Sequence, residues 1–193
     1  FSFEKRYYNY MEIINKLENS KIIKRIFFAL VGTIFLAISS KIKIPFYPVP
    51  MTMQTFMVLV IGIIFGWKLG VFTILLYLFE GIIGLPVFSG SPEKGIGIIY
   101  FTGPTMGYLI GFIFASFLAG YFNYNKNFFL NFLKLIISVS IIYILGLIWL
   151  GILIGWDKPI FELGAKPFLL AELFKISLIT LLLASLKKAK KFI

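Results

Sequence analysis

The chain has 193 residues, of which 60% are hydrophobic and only 14% are charged, and its mean hydropathy is +0.95. A compact soluble domain of this length cannot bury so much apolar surface, so the composition excludes a soluble globular protein and indicates an integral membrane protein. The absence of cysteine and histidine excludes disulfides, thiol catalysis, His-dependent triads and metal sites held by imidazole. We therefore expect no metal and no cofactor.

Residues 1–20 mix polar, aromatic and charged side chains without a signal-peptide pattern, and we predict a short cytosolic lead that is partly helical. Residues 21–193 are predicted to form a single transmembrane domain, so the fold class is an all-α integral membrane protein. Its six predicted helices are residues 21–40, 52–66, 68–84, 104–122, 130–155 and 167–186.

The distribution of positive charge predicts the orientation. Most of the 19 Lys and Arg residues fall in segments on one side of the six helices, and the positive-inside rule makes that side the cytoplasm. An even number of spans then places both termini in the cytoplasm. The net charge of +11 follows from this topology and does not indicate a nucleic-acid partner.

Two predicted outer loops have unusual compositions. Residues 41–50 carry three prolines, which forbid a continuing helix and indicate a stiff, extended cap. Residues 85–103 are rich in Gly, Pro and Ser but keep apolar side chains that include Phe88 and Tyr100. Irregular backbone at membrane depth is tolerated where it lines a cavity, so we expect this loop to fold back over one.

Three ionisable residues lie inside predicted helices. Charged side chains are unfavourable at the centre of a membrane span, so Glu80, Glu172 and Lys175 are candidate ligand-binding residues. Glu172 and Lys175 are three residues apart and emerge on one face of the last helix. Either the three side chains converge in an outward cavity, or Glu172 and Lys175 only neutralise each other.

Small residues recur at helical spacing on several predicted helices. Ala29, Thr33 and Ala37 form a stripe that would let another helix approach closely in lipid, whether from a partner or from the same chain. Two glycine series, at positions 62, 66 and 70 and at positions 107 and 111, are expected to pack helices within the chain.

Three ordered motifs carry a resemblance to a known family. They are V-P-M-T-M-Q-T at residues 49–55, Y-L-F-E-G-I-I-G-L-P-V-F at residues 77–88 and G-P-T-M-G-Y-L-I-G-F at residues 103–112. Together they resemble the BioY family, the biotin-specific substrate-binding (S) components of energy-coupling factor (ECF) transporters. The resemblance implies a six-helix S-component fold in a prokaryotic plasma membrane, high-affinity binding of biotin from the outside, and no enzymatic activity.

The resemblance also places site residues on the last helix. The acidic residue and the lysine that the family has three apart correspond to Glu172 and Lys175, although the family is expected to have Asp at the first position. Leu170 and Ala171 stand where Pro and Gly are expected. Lys94 corresponds to a basic loop position of the family.

Biotin offers two ureido N–H donors, a ureido carbonyl, an apolar thioether ring and a carboxylate. We hypothesise that Glu80 and Glu172 accept the ureido N–H groups, and that Phe88 and Tyr100 cover the rings. Lys175 would donate to the carbonyl and Lys94 would pair with the carboxylate, with the roles of the two lysines interchangeable. The role of Glu80 depends on the buried-charge argument alone.

The resemblance implies partner subunits as well. The chain contains no G-x-x-x-x-G-K-[ST] motif, so any work done with ATP belongs to other chains. The implied partners are a membrane coupling protein and two ATPase subunits, and the stripe of Ala29, Thr33 and Ala37 would contact the coupling protein. Transport would follow from reorientation of the whole S component in the bilayer.

Three alternatives remain at this point. The nearest is an S component for another small vitamin. A membrane enzyme that uses the three ionisable residues for acid–base chemistry would lack an accompanying nucleophile or metal set. A purely structural membrane subunit would leave the buried charges and the apolar loop without a purpose.

Overall fold

The computed structural model describes residues 2–93 and 95–192, with side chains for residues 20–93 and 95–191. Its helices are α1 (Ser2–Lys41), α2 (Gln54–Ile82), α3 (Met106–Tyr121), α4 (Phe128–Ile154), α5 (Ile160–Gly164) and α6 (Leu169–Ala189). Two short strands, β1 (Lys43–Ile44) and β2 (Met51–Thr52), pair antiparallel. Short 3-10 helices lie at Gly97–Thr102, Lys166–Phe168 and Lys190–Phe192.

Four helical stretches of the described chain are long and apolar enough to cross a membrane. They are Ser20–Lys41, Gln54–Ile82, Phe128–Ile154 and Ile160–Ala189, and α3 is a shorter apolar helix. The protein is thus mostly helical, as the composition indicates.

The helix α2 is in fact a hairpin of two helices. Gly66 has φ +74° and ψ 169°, a left-handed conformation that interrupts the helix and that glycine adopts without steric conflict. A Cβ built on Gly70 would lie 3.2 Å from the Cα of Gly62, and Gln54 hydrogen-bonds to Tyr77. Both contacts require the chain to reverse at Gly66. We call residues 54–65 α2a and residues 67–82 α2b, and with this division six apolar helical segments lie at the six predicted positions.

The observed helix ends differ from the predicted ones by one to three residues except at the start of α1. This helix begins at Ser2 and runs without a break through the predicted boundary between residues 20 and 21. Residues 2–20 contain neither Pro nor Gly to end it. The predicted lead and the first span are therefore one continuous helix.

Close packing of α3 depends on the predicted glycine pair at positions 107 and 111. A Cβ on Gly107 would lie 2.4 Å from the carbonyl oxygen of Leu145, and one on Gly111 would lie 2.6 Å from the Cα of Ile142. The backbones of α3 and α4 are therefore in contact, and the prediction that these glycines pack helices within the chain is confirmed.

The small-residue stripe on α1 also packs within the chain. Ala29 is 0% exposed and Thr33 is 2% exposed. They share a face with Gly32, and a Cβ built on Gly32 would lie 2.7 Å from Cγ2 of Thr73 in α2b. Ala37 is half-buried and packs against the hydrophobic core. This corrects the prediction of a partner interface at Ala29, Thr33 and Ala37, because α2 already covers this face.

Candidate ligand-binding site

A cavity lies at the end of the bundle where α1, α4 and α2b finish and where α2a, α3 and α6 begin. It encloses about 530 Å³ of space free of protein atoms, counting the part open to solvent. Its lining comes from the β2 strand and the start of α2a, the 85–103 loop, α3, α4 and α6. Two of the three sequence motifs, at residues 49–55 and 103–112, therefore contribute to the lining.

Glu172 is the charged residue that lines the described part of this cavity, and it is 5% exposed. Its Oε1 accepts hydrogen bonds from Thr55 Oγ1 at 2.8 Å and from Lys175 Nζ at 2.8 Å. Lys175, also 5% exposed, donates its other two N–H groups to the carbonyl oxygen of Thr52 at 2.6 Å and to Thr55 Oγ1 at 2.9 Å. The buried ion pair thus ties α6 to the start of α2a.

Two buried polar atoms of the cavity lining have no partner among the described residues. One is Oε2 of Glu172, and the other is Oγ of Ser89 in the 85–103 loop. The Tyr143 phenol lies within reach of the Glu172 carboxylate, but the two do not meet the geometry of a hydrogen bond. A buried polar group without a hydrogen bond is unfavourable by about 1 to 3 kcal/mol, and more when it is charged. Both atoms point to a ligand that brings hydrogen-bonding groups of its own.

Aromatic side chains form a large part of the cavity wall. The cavity is lined by Tyr100, Tyr108, Phe112, Tyr143 and Phe168. The Tyr108 hydroxyl donates to the carbonyl oxygen of Gly164 at 2.8 Å, which fixes the ring. Burial raises the pKa of the Tyr100 phenol, so this hydroxyl stays protonated near neutral pH. Such walls suit a flat, apolar ring system with polar edges.

The 85–103 loop folds over the cavity, as predicted. Phe88 is 1% exposed and forms its centre, stacked on Tyr100 with ring centroids 4.7 Å apart and edge-on to Tyr77 at 5.3 Å. The Tyr77 hydroxyl donates to the carbonyl oxygen of Val87 at 2.8 Å and accepts from the side chain of Gln54 at 2.8 Å. The loop is therefore anchored to both halves of the α2 hairpin.

The C-terminal end of α1 and the following strand hold the same loop from the other side. Lys41 Nζ donates to the carbonyl oxygens of Phe88 at 2.9 Å and Ser91 at 2.8 Å. Lys43 Nζ donates to the carbonyl oxygen of Ser89 at 2.6 Å. These three bonds fasten the loop segment that carries Phe88 and Ser89 over the cavity.

The structure brings together some of the predicted site residues and separates others. Glu172 and Tyr100 line the cavity, and Phe88 supports Tyr100 from behind. Lys175 lies behind Glu172 and has no N–H group left for a ligand, because all three are used within the chain. Lys94 lies outside the described residues.

Glu80 is not at the cavity. Its carboxylate is half-buried on the side of α2b that faces α1, within reach of the Thr33 hydroxyl. Glu80 thus lies beside Thr33 of α1, whereas Glu172 pairs with Thr55 and Lys175. This corrects the prediction that Glu80 converges with Glu172 and Lys175.

Sequence reasoning missed several residues at the site, among them Thr55, Ser89 and Tyr143. Thr55 ends the first of the three motifs, so a search for polar side chains within the motifs would have found it. Ser89 is one of several serines in a loop, and Tyr143 lies in a long apolar run, so neither gives a sequence signal.

These features define a class of protein. A bundle of apolar helices that encloses an aromatic-lined cavity, with a buried glutamate in the cavity wall, is the architecture of a membrane-embedded substrate-binding protein.

Comparisons with known proteins agree with this class. The BioY family matches residues 11–192. The chain is 36% identical over 139 residues to the probable biotin transporter BioY of Pyrococcus horikoshii, covering 72% of this chain and 81% of that protein. It is 34% identical over 157 residues to the biotin transporter BioY of Thermotoga maritima, covering 81% and 91% respectively.

A solved structure is similar as well. It is the crystal structure of the S-component for biotin from an ECF-type ABC transporter, with a TM-score of 0.73 and 26% identity over 88% of this chain and 94% of that one. The chain belongs to the BioY family, which confirms the resemblance found in its motifs. It is a membrane transport protein and not an enzyme, since its relatives are transporters and a substrate-binding component.

Proposed function

We propose that this chain is the high-affinity biotin-binding S component of an ATP-driven ECF-type vitamin uptake transporter. The observation that carries the proposal is the buried Glu172 in the wall of an aromatic-lined cavity, whose Oε2 has no hydrogen-bond partner among the described residues. A ureido N–H is a neutral donor that such an oxygen accepts strongly. The names of the relatives supply the ligand class.

In the proposed pose, Oε2 of Glu172 accepts one ureido N–H of biotin. The hydroxyl of Ser89 lies on the loop side of the cavity and would hydrogen-bond to another polar group of the ligand. The rings of Tyr100, Tyr143 and Phe168 would enclose the thioether ring. Lys94 remains our candidate partner for the carboxylate, and the proposal needs no metal or cofactor.

The proposed membrane arrangement uses all six apolar helical segments as spans in a prokaryotic plasma membrane. The cavity end would face outward. The opposite end, where Arg25, Lys68 and Lys190 lie together, would face the cytoplasm with both termini, as the positive-inside rule predicts. A coupling protein and two ATPase subunits would drive reorientation, because this chain has no nucleotide-binding motif of its own.

Calorimetric titration of the detergent-purified protein with biotin, riboflavin and thiamin tests the ligand. We expect tight binding at one site for biotin alone. An analogue of biotin that is methylated on both ureido nitrogens should bind much more weakly, because it cannot donate to Glu172. Tight binding of another vitamin, with none for biotin, would assign the S component to that vitamin.

Replacing Lys41 by methionine should speed biotin dissociation by about fivefold. The variant keeps the apolar stem of the side chain but loses both bonds to the loop, a loss of roughly 1 kcal/mol for a solvent-exposed charged donor. Stopped-flow chase of labelled biotin measures the rate. Lys158→Met is the matched control, since Lys158 is exposed and its one ion pair among the described residues is with its neighbour Asp157. Equal rates in the two variants would contradict a clamping role for Lys41.

A further inference from the structure

A second, basic pocket lies at the end of the bundle opposite the ligand cavity. It is formed where α1, the hairpin turn at Gly66 and the segment after α6 meet, and it encloses about 1410 Å³, counting its open mouth. Three cations line it, and they are Arg25, Lys68 and Lys190. Among the residues whose side chains the structure describes, none of these cations forms an ion pair.

The positive charges sit on an otherwise apolar wall. Trp67 lines the pocket and is 43% exposed, with the ammonium group of Lys68 lying 5.3 Å from its ring centroid. Tryptophan at the end of a membrane helix is typical of the headgroup level of a bilayer. Lys190 lies beside the turn, since a Cβ built on Gly66 would be in van der Waals contact with its Nζ at 3.7 Å.

An apolar groove continues from this pocket toward the middle of the bundle. It encloses about 880 Å³ between α1 and α2a and shares Ile64 and Phe65 with the basic pocket. On α1 it extends as far as Phe35. From Arg25 to Phe35 the helix rises roughly 15 Å, so the groove extends about half-way across a hydrocarbon core of roughly 30 Å.

We propose that this composite groove binds one anionic phospholipid. The headgroup phosphate would lie among Arg25, Lys68 and Lys190, and one acyl chain would lie along α1 between Phe35 and Phe65. The groove has cations at its outer end and apolar side chains along its length. A phospholipid has a charged headgroup and an apolar chain in the same arrangement, whereas a soluble anion has no apolar chain. The site lies at the other end of the molecule from the ligand cavity and does not depend on what that cavity binds.

Native mass spectrometry with defined lipids tests the site. The purified protein would be titrated with phosphatidylglycerol and with phosphatidylcholine of identical acyl chains. We expect one phosphatidylglycerol to bind at least about fivefold more tightly, and each of Arg25→Gln, Lys68→Gln and Lys190→Gln to weaken it by about fivefold, the effect of one cation near a lipid headgroup. Lys126→Gln, an exposed lysine in the α3–α4 loop outside the groove, should leave the affinity unchanged.

The acyl part of the site has its own variant. Val31→Trp fills the apolar groove and should weaken both lipids without changing the ratio of their affinities. Elution volume and unfolding temperature check that each variant is folded. The proposal is overturned if the two lipids bind equally, if Lys126→Gln weakens phosphatidylglycerol as much as Lys68→Gln, or if Val31→Trp leaves lipid binding unchanged. It is also overturned if the three charge variants still bind phosphatidylglycerol but no longer bind a protein partner in membranes, because the basic pocket would then be a protein-binding site.

Discussion

Replacement of Glu172 by glutamine should weaken biotin binding by about 1.5 to 3 kcal/mol, or roughly 10- to 150-fold, the contribution of a hydrogen bond to a charged group. Glutamine has nearly the same shape, and its carbonyl oxygen can still accept from Thr55 and Lys175. Its NH₂ group would then occupy the place of Oε2, where it cannot accept a ureido N–H. Isothermal titration of the detergent-purified variant measures the change.

The matched control for this prediction is Glu162→Gln. Glu162 pairs with Lys166 at 3.0 Å, but both side chains are more than half exposed and neither lines the cavity. The same chemical change at this position should leave the affinity unaltered. If Glu172→Gln bound biotin as tightly as the unmodified protein, Glu172 would not be the acceptor, and the proposed function would lose the observation that carries it.

The sequence was sufficient to predict the helices because their cause is local. Long uncharged runs become membrane helices, and Gly and Pro between them become turns, so the six segments could be placed to within a few residues. The start of α1 was the exception. We placed it at the boundary between water and lipid, but the sequence does not end the helix there. The proline-containing segment at residues 41–50 was predicted to be a stiff cap, and it connects the paired strands β1 and β2.

The candidate site was only partly predictable because it depends on which faces meet. A carboxylate and a lysine three residues apart lie on the same face of a helix, so the sequence predicted Glu172 beside Lys175. Whether Glu80 joins them depends on the rotation of α2b about its axis, which no local pattern specifies. Tyr143 reaches the cavity only because α3 and α4 pack closely at Gly107 and Gly111.

The ion pair itself raises a question that mutation can answer, namely whether Lys175 acts on the ligand or on Glu172. Lys175→Met should destabilise the protein by about 3 to 5 kcal/mol, because it leaves the Glu172 charge buried without its partner. The unfolding temperature in detergent measures this loss. Lys166→Met removes a lysine from an exposed pair and should change stability little.

A double-mutant cycle then separates the two roles. Adding Glu172→Gln to Lys175→Met removes the unpaired charge, so the double variant should be more stable than Lys175→Met alone. In biotin binding, Lys175→Met should weaken the affinity strongly when Glu172 is present and only slightly in the Glu172→Gln background. The reason is that all three N–H groups of Lys175 are directed within the chain and act on the ligand through Glu172 and the Thr52–Thr55 segment. Equal losses of affinity in both backgrounds would show instead that Lys175 donates to biotin directly, after a rearrangement that frees one of its bonds.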